Sequence, residues 1–135
     1  MKEKNSERFE KWEMPKIEEK KLHPKYYFLV QHKDNLNLGI NTDVGEFTYI
    51  NAKYGVKIEK NVQIGSHCSI YSLSTIDDKK GKIIIKENAR IGTHSTIMPG
   101  VTIGKNVLVG AYSFVNKNIP DDVVAYGIPV KILKK

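Results

Sequence analysis

Aliphatic residues return at every sixth position along the second half of the chain. The uninterrupted series consists of Ile85, Ile91, Ile97, Ile103, Val109 and Val115. An α-helix would require apolar residues at three- and four-residue spacings, and one long strand would require strict alternation. The chain must therefore bend once per unit, and the pattern predicts short strands joined by turns.

Three such units would close a triangular turn of a solenoid, which we call a coil. Successive coils would lie about 4.8 Å apart with their backbones hydrogen-bonded along the axis, and the aliphatic anchors would fill the interior. Gly92, Gly104 and Gly110 directly follow three anchors. We expect glycine there because it adopts corner angles that other residues avoid. The sequence thus predicts an all-β parallel β-helix.

Two interruptions break the period. A gap of eight residues separates the anchors Ile50 and Ile58, which predicts a bulge of two residues. A gap of nine separates Ile76 and Ile85, which predicts a polar loop excluded from the solenoid at residues 77–82. A loop that interrupts a regular scaffold commonly carries function.

The pattern divides the chain into three parts. Residues 1–24 are highly charged and form an arm or a short helix, which Ser6 could cap and which would end before Pro15. The β-helix occupies 25–119, and residues 120–135 form a tail that caps the last coil.

Composition and charge restrict the setting and the partners. The 135 residues are 40% apolar without a run long enough to cross a bilayer or an apolar signal-peptide core, which predicts a cytoplasmic protein. The net charge of +7 favours anionic partners. No basic and aromatic motif that stacks bases is present, so nucleic acid is not expected. Cys68 falls where a small buried residue is expected, which indicates packing rather than a reactive thiol.

The end of the repeat resembles a known family. The segments that carry the resemblance are IGTHSTIMPGVTIG at 91–104, VGAYSFVNKNIP at 109–120 and VAYGIPVK at 124–131. They are similar to the hexapeptide-repeat acyltransferases, in the branch that acetylates sugars and nucleotide-linked amino sugars. The resemblance implies a left-handed β-helix, acetyl-CoA as acyl donor without a metal, and a homotrimer with active sites between subunits.

The resemblance also implies the course of the coenzyme. Its pantetheine arm would run along the axis at one corner, where residues eighteen positions apart stack, and lysines near the chain end would meet its phosphates. The implied contacts are Thr93, Gly110, Ala111, Asn116, Lys117 and Lys131.

The chain departs from the family at the catalytic base. Galactoside-type members have a catalytic histidine where this chain has Thr75 to Asp78, and here the loop offers only carboxylates. His67 and His94 remain, both at outward positions of the repeat. With a loop of three extra residues they would be four units apart, so we expect them at different corners, with His94 at the coenzyme corner.

Absence of a loop histidine favours an amine acceptor. A hydroxyl needs a base to attack a thioester, whereas a partly neutral amine mainly needs orientation. The leading prediction is therefore an acetyl-CoA-dependent N-acetyltransferase that acts on a nucleotide-linked amino sugar for polysaccharide or glycan synthesis. Asp77 or Asp78 would hold the amine or take its proton, and Asn51 and Thr75 would contact the sugar.

Three alternatives stay open. The nearest is a sugar O-acetyltransferase with His94 or His67 as base. A γ-type carbonic anhydrase would need histidines stacked at one interface, which their expected separation disfavours. A non-catalytic trimer is the third. In any trimer, outward apolar residues such as Leu73, Ile83 and Phe114 would be covered.

Overall fold

The computed structural model describes residues 11–133 and has the form of a triangular solenoid of short strands. In chain order the strands are β1 Leu29–Gln31, β2 Leu36–Leu38, β3 Asp43–Val44, β4 Tyr49–Asn51, β5 Val56–Ile58, β6 Gln63–Ile64, β7 Ser69–Tyr71, β8 Leu73–Ser74, β9 Lys79–Lys80, β10 Ile83–Ile85, β11 Arg90–Ile91, β12 Thr96–Ile97, β13 Thr102–Ile103, β14 Leu108–Val109, β15 Phe114–Val115, β16 Val124–Tyr126 and β17 Lys131–Leu133. A 3₁₀ turn at Lys33–Asn35 joins β1 to β2.

Three sheets form the sides of the triangle. The first has the order β1-β4-β7-β12-β15, the second β2-β5-β10-β13 and the third β3-β6-β11-β14-β16-β17. All pairs within them are parallel except the last, because β17 runs antiparallel to β16. The left-handed parallel β-helix expected from the sequence is confirmed.

The core is one side chain thick and consists of the repeat anchors. Anchors from Val44 to Val115 are buried, apart from Ile76, and the small residues between them fill the remaining space. Cys68 is 1% exposed in this core, as predicted. Ile83 is also fully buried, so the expectation that it faces outward is wrong. Ile83 and Ile85 belong to the same strand, and side chains two residues apart on a strand point to the same face, which here is the core.

The excluded loop is larger than predicted. Ile85 pairs with Ile103, eighteen residues later, whereas Ile58 pairs with Ile85, twenty-seven residues later. That coil therefore carries nine extra residues rather than three. The difference comes from Ile76, which falls in phase with the anchors but is 95% exposed. The extra chain folds into an antiparallel hairpin of β8 and β9 that stands out from the solenoid.

Glycine after an anchor has a different role from the one predicted. Gly39 and Gly92 do not have positive φ; a Cβ built on Gly39 would lie 2.6 Å from the backbone nitrogen of Lys60 in the next coil. Glycine is needed there because the coils approach too closely for a side chain. The left-handed corner residues lie two positions later and are not glycine, for example Asn61 and Asn88.

The described part of the arm packs against the first coil. Trp12 donates a hydrogen bond from Nε1 to the carbonyl oxygen of Thr42 at 2.7 Å, and His23 stacks on Phe28. Residues 11–24 contain no helix, and the rest of the helix predicted around Ser6 lies outside the described residues. Between residues 11 and 133 no helix is long and apolar enough to span a membrane.

Candidate active site

Four rings form a column along one corner of the β-helix. Phe47, His67, His94 and Tyr112 follow one another at centroid distances of 5.3, 4.7 and 4.8 Å. Each has a positive φ near 60° and ends the same kind of turn. The prediction that His67 and His94 stand at different corners is wrong. Nine extra residues in the hairpin make their separation of twenty-seven equal to one full coil.

The hydrogen bonds around His94 fix the role of its ring nitrogens. The Thr93 hydroxyl donates to the carbonyl oxygen of Ser66 at 2.7 Å, and its oxygen lies 2.9 Å from Nδ1 of His94. A carbonyl oxygen can only accept, so the single hydroxyl proton is used there. Thr93 then accepts from Nδ1–H, so the neutral form of the imidazole would carry its free lone pair on Nε2. Such a nitrogen is suited to act as a base.

The predicted coenzyme residues separate into two groups. Thr93 and Ala111 stack one coil apart as expected, since the Tyr112 amide donates to the carbonyl of Thr93 at 2.9 Å and Gly92 faces the Ala111 backbone. One strand further along the axis, Gly110 packs so closely on Tyr126 that a Cβ built on the glycine would lie 2.8 Å from the Cβ of Tyr126.

Lys131 lies opposite Tyr126 on β17 and so continues this ladder along the axis. Asn116 and Lys117 follow β15 and are exposed at the next corner, across the first sheet from Ala111. The structure therefore places Thr93, Ala111 and Lys131 along one ladder, and it places Asn116 and Lys117 at a different corner.

A cavity of about 530 Å³ opens over the first sheet, between that sheet and the hairpin. Asn51 and Thr75, both predicted to contact the acceptor, line it together with Tyr49 and Tyr71. The Tyr49 hydroxyl donates to Gln31 at 2.6 Å, and burial raises the pKa of that phenol. The cavity offers amide and hydroxyl groups between aromatic walls, as sites for small polar molecules do.

Asp77 and Asp78 do not line this cavity. Both are exposed on the hairpin, where Asp77 lies 3.7 Å from the Lys79 ammonium. A hydrogen bond with the Ser74 side chain lowers the pKa of the Asp77 carboxyl. Nothing in this arrangement directs either carboxylate toward an acceptor in the same subunit.

A zinc site was disfavoured because the two histidines were expected at different corners, and the stack of His67 on His94 removes that argument. Within residues 11–133, however, no three His, Cys, Asp or Glu side chains lie close enough to hold a metal ion together. Within the described residues of one subunit, the column of rings therefore lacks the third ligand that a zinc site requires.

Sequence reasoning missed the aromatic members of the site. Phe47 and Tyr112 extend the histidine column, and Tyr49 and Tyr71 form part of the cavity wall at a ring distance of 5.7 Å. The signal was present, since Tyr49 and Tyr71 directly flank anchors at outward positions of the first sheet. The column could be found only once the true coil lengths were known.

Comparison with known proteins gives a family and several relatives. Residues 82–117 match the family model described as bacterial transferase hexapeptide (six repeats). Galactoside O-acetyltransferases from Lactococcus lactis and Escherichia coli are each 34% identical over 112 residues, which is 72% of this chain. The alignments cover 54% and 55% of those proteins, so the chain spans about half their length.

Solved structures share the fold. A galactoside acetyltransferase in complex with coenzyme A superposes with a TM-score of 0.73 at 30% identity, covering 80% of this chain and 58% of that one. A hexapeptide-repeat acetyltransferase from Vibrio cholerae has a TM-score of 0.75 at 26% identity, with 79% and 66% covered. The likeness extends over most of the β-helix.

Proposed function

The chain belongs to the hexapeptide-repeat transferase family, and from that premise we propose that it transfers the acetyl group of acetyl-CoA to a sugar hydroxyl. The observation that carries the proposal is the 34% identity over 112 residues to galactoside O-acetyltransferases. These relatives favour O-acetylation over the N-acetylation of a nucleotide-linked amino sugar that the sequence predicted.

The coenzyme would lie along the ladder of Thr93 and Ala111, at the corner that carries the column of rings. Its extended pantetheine arm would pair with backbone groups at Thr93 and Ala111, and the Lys131 ammonium, further along the axis, would meet its phosphates. A relative with the same fold is solved in complex with coenzyme A, which supports a groove on this β-helix for the donor.

His94 is the proposed base for the acceptor hydroxyl. Its Nε2 takes the hydroxyl proton, the oxygen attacks the thioester carbonyl carbon, and a C–O bond forms as the C–S bond breaks. The proton then passes from Nε2 to the leaving thiolate of coenzyme A. Thr93 keeps the imidazole in the tautomer that this step requires.

The acceptor would occupy the cavity that Asn51 and Thr75 line. Strand β12 begins two residues after His94 and belongs to the same sheet as β4 and β7, which form the cavity floor. His94 does not line this cavity and lies at the other edge of the sheet, so in the proposed trimer the His94 of a neighbouring chain would have to approach the acceptor. Asp77 and Asp78 also lie outside the cavity, and Asp77 is already paired with the Lys79 ammonium at 3.7 Å, so the geometry gives no support to the carboxylates that an amine acceptor was predicted to use.

We also propose that the active unit is a homotrimer. Each chain would then contribute its column of rings to a cleft shared with a neighbouring chain. Leu73 and Phe114 remain half-buried on the outer surface, and Ile76 is 95% exposed. Covering apolar surface of this kind is what a closed threefold assembly provides.

A comparison of matched acceptors tests the proposal. The protein is incubated with acetyl-CoA and glucose, glucosamine, N-acetylglucosamine or serine, and thiol release and product mass are recorded. We expect an ester product that mild base hydrolyses, formed from a sugar that has no free amine. If only glucosamine reacts and its product resists mild base, the acceptor is an amine; if only serine reacts, the sugar assignment is wrong.

A further inference from the structure

The two interruptions of the repeat meet at one corner of the β-helix. The bulge at residues 53–55 and the end of the hairpin lie side by side, since a Cβ on Gly55 would be 3.3 Å from the side chain of Lys82. Both interruptions bring lysines, namely Lys53 from the bulge and Lys80 and Lys82 from the hairpin and the segment after it. The extra residues of the bulge and the hairpin therefore concentrate positive charge at this corner.

Tyr54 organises these lysines. The Nζ atoms of Lys53 and Lys80 lie 5.7 and 5.6 Å from the centre of its ring. The Tyr54 amide donates to Oγ of Ser72 at 3.0 Å, and Ser72 is fully buried. The backbone of Tyr54 is thus tied to the core, and cation–π attraction holds two ammonium groups beside its ring.

In the part of the chain that the structure describes, the lysines of this corner lack a counterion. Within residues 11–133, Lys53, Lys80 and Lys82 form no ion pair, whereas Lys60 and Lys105 at another corner both lie within 4.0 Å of Glu87. Like charges held together raise the energy of the empty site, and a bound anion would relieve that repulsion.

A groove beside Lys53 and Lys82 adjoins the acceptor cavity, and Lys80 borders it only through the Tyr54 ring. It has a volume of about 370 Å³ and is lined by Lys53, Lys57, Lys82 and Tyr54. Lys57 is already paired with Glu59 at 3.9 Å. Lys53 also lines the acceptor cavity, so the two spaces share this residue.

We propose that this groove is an oxyanion subsite and that the acceptor is a sugar carrying a phosphate or carboxylate group. The inference rests on the proposed O-acetyltransferase function and defines its substrate class. The reacting hydroxyl lies in the cavity, and the anionic group extends past Lys53 to the Lys82 ammonium in the groove, with the Lys80 ammonium beside the Tyr54 ring. The phosphates of the coenzyme are not the occupant, because the Thr93 and Ala111 ladder lies at another corner.

Three acceptors that differ in charge test the proposal. Acetylation kinetics are measured for galactose, galactose 1-phosphate and galacturonate with the native protein, Lys80→Gln, Lys82→Gln and the control Lys60→Gln. We expect kcat/KM for one charged sugar to exceed that for galactose by about tenfold or more, the scale of one charge-assisted hydrogen bond. Which charged sugar reacts better distinguishes phosphate from carboxylate.

The lysine variants should reduce that ratio of charged to neutral sugar by about tenfold, while Lys60→Gln leaves it unchanged. Equal kcat/KM for all three sugars, or a ratio insensitive to Lys80 and Lys82, would overturn the subsite. A rise in KM for acetyl-CoA in these variants would also overturn it, since the groove would then bind the coenzyme.

Binding of inorganic pyrophosphate separates the subsite from the reaction. The native protein and the same variants are titrated with pyrophosphate in the absence of acetyl-CoA, and tyrosine and backbone resonances are followed by NMR. We expect shifts at Tyr54 and Gly55 that weaken with added salt and are lost in Lys82→Gln but kept in Lys60→Gln. If these shifts occur and no sugar is acetylated, the proposed function fails and the anion site remains; absence of shifts at Tyr54 contradicts the site itself.

Discussion

His67 and His94 stack ring upon ring across one coil, with centroids 4.7 Å apart and planes inclined by 3°. The stack exists because the hairpin adds nine residues to the coil between them and so restores the register of the corner. It places a second imidazole against the face of the proposed base. His67 therefore supports His94 sterically, and only His94 has the threonine partner that fixes its tautomer.

Replacement of His94 by asparagine should abolish most turnover. Loss of a general base typically lowers the rate by about 10² to 10⁴, and we expect that decrease in kcat. Replacement of His67 by asparagine removes only a stacking neighbour and should cost less than tenfold on the same scale. Steady-state kinetics at saturating acetyl-CoA decide the matter; a greater loss of kcat in the His67 variant would assign the base to His67.

Asp77→Asn distinguishes the two acceptor classes further. The carboxylate is exposed and lies outside the acceptor cavity, so kcat for a sugar hydroxyl should stay unchanged. If Asp77 acted as a base, its replacement would lower kcat. If it bound the ammonium group of the acceptor, its replacement would raise KM. Measurement with glucose and with glucosamine covers both cases, and a selective loss with glucosamine would restore the amine acceptor.

A bulky residue in the coenzyme ladder should block the donor. Ala111→Trp fills the surface beside Gly92 and Thr93, and we expect the affinity for acetyl-CoA to fall by more than tenfold in calorimetry. Lys105→Trp is the matched control, because it occupies the equivalent position in the same coil at another corner. Equal affinity in the two variants would move the coenzyme groove elsewhere.

Cys68 should resist alkylation while the protein is folded. The thiol is 1% exposed, and burial raises its pKa, so little reactive thiolate is present near neutral pH. Above the ordinary thiol pKa of about 8.5 the unfolded chain loses its proton before the folded one, so stability should fall as pH rises. Iodoacetamide labelling followed by mass spectrometry, with and without urea, tests this; rapid labelling of the folded protein would contradict it.

Gly39→Ala should destabilise the β-helix without touching the site. The added Cβ would meet the backbone of Lys60 at 2.6 Å, and overpacking of this kind costs about 1 to 3 kcal/mol. At Gly100 the space is open and only the φ of 81° is unfavourable, which costs about 1 to 2 kcal/mol. Urea unfolding compares the two variants, and a Gly39 variant as stable as the native protein would exclude tight approach of the coils.

Sedimentation equilibrium at micromolar concentration should give three times the chain mass of 15.4 kDa. The expectation rests on the half-buried Leu73 and Phe114 and on the exposed hairpin tip at Ile76. A monomeric protein would remove the shared cleft from the proposed site, and the column of rings would have to act within one chain.

Much of the fold could be predicted because buried aliphatic residues repeat at a fixed interval. The anchors from Ile85 to Val115 are all buried, and Thr93 stacks with Ala111 as their spacing required. The predictions of the loop length and of the histidine corners failed because of Ile76, an apolar residue on the hairpin tip that falls in phase with the six-residue repeat. Periodicity cannot tell such a residue from an anchor, because hydrophobicity alone does not report burial.

The candidate site could be predicted less well for the same reason. Asn51 and Thr75 share a cavity as proposed, but the corner of His67 depended on the length of the hairpin. One wrong anchor shifted every relationship between residues on opposite sides of the loop. The lysines around Tyr54 depended on two irregular segments meeting, which no repeat describes.

The reversal of the final strand bears on how copies of this protein avoid joining end to end. A parallel β-helix presents, at its last coil, open backbone groups on which another copy could continue the ladder, which is a route to fibres. Strand β17 lies antiparallel along β16, with Ala125 paired to Ile132, and so occupies that edge in the wrong direction for a further parallel strand. On that side of the triangle the structure thus blocks continuation of the parallel ladder along the axis.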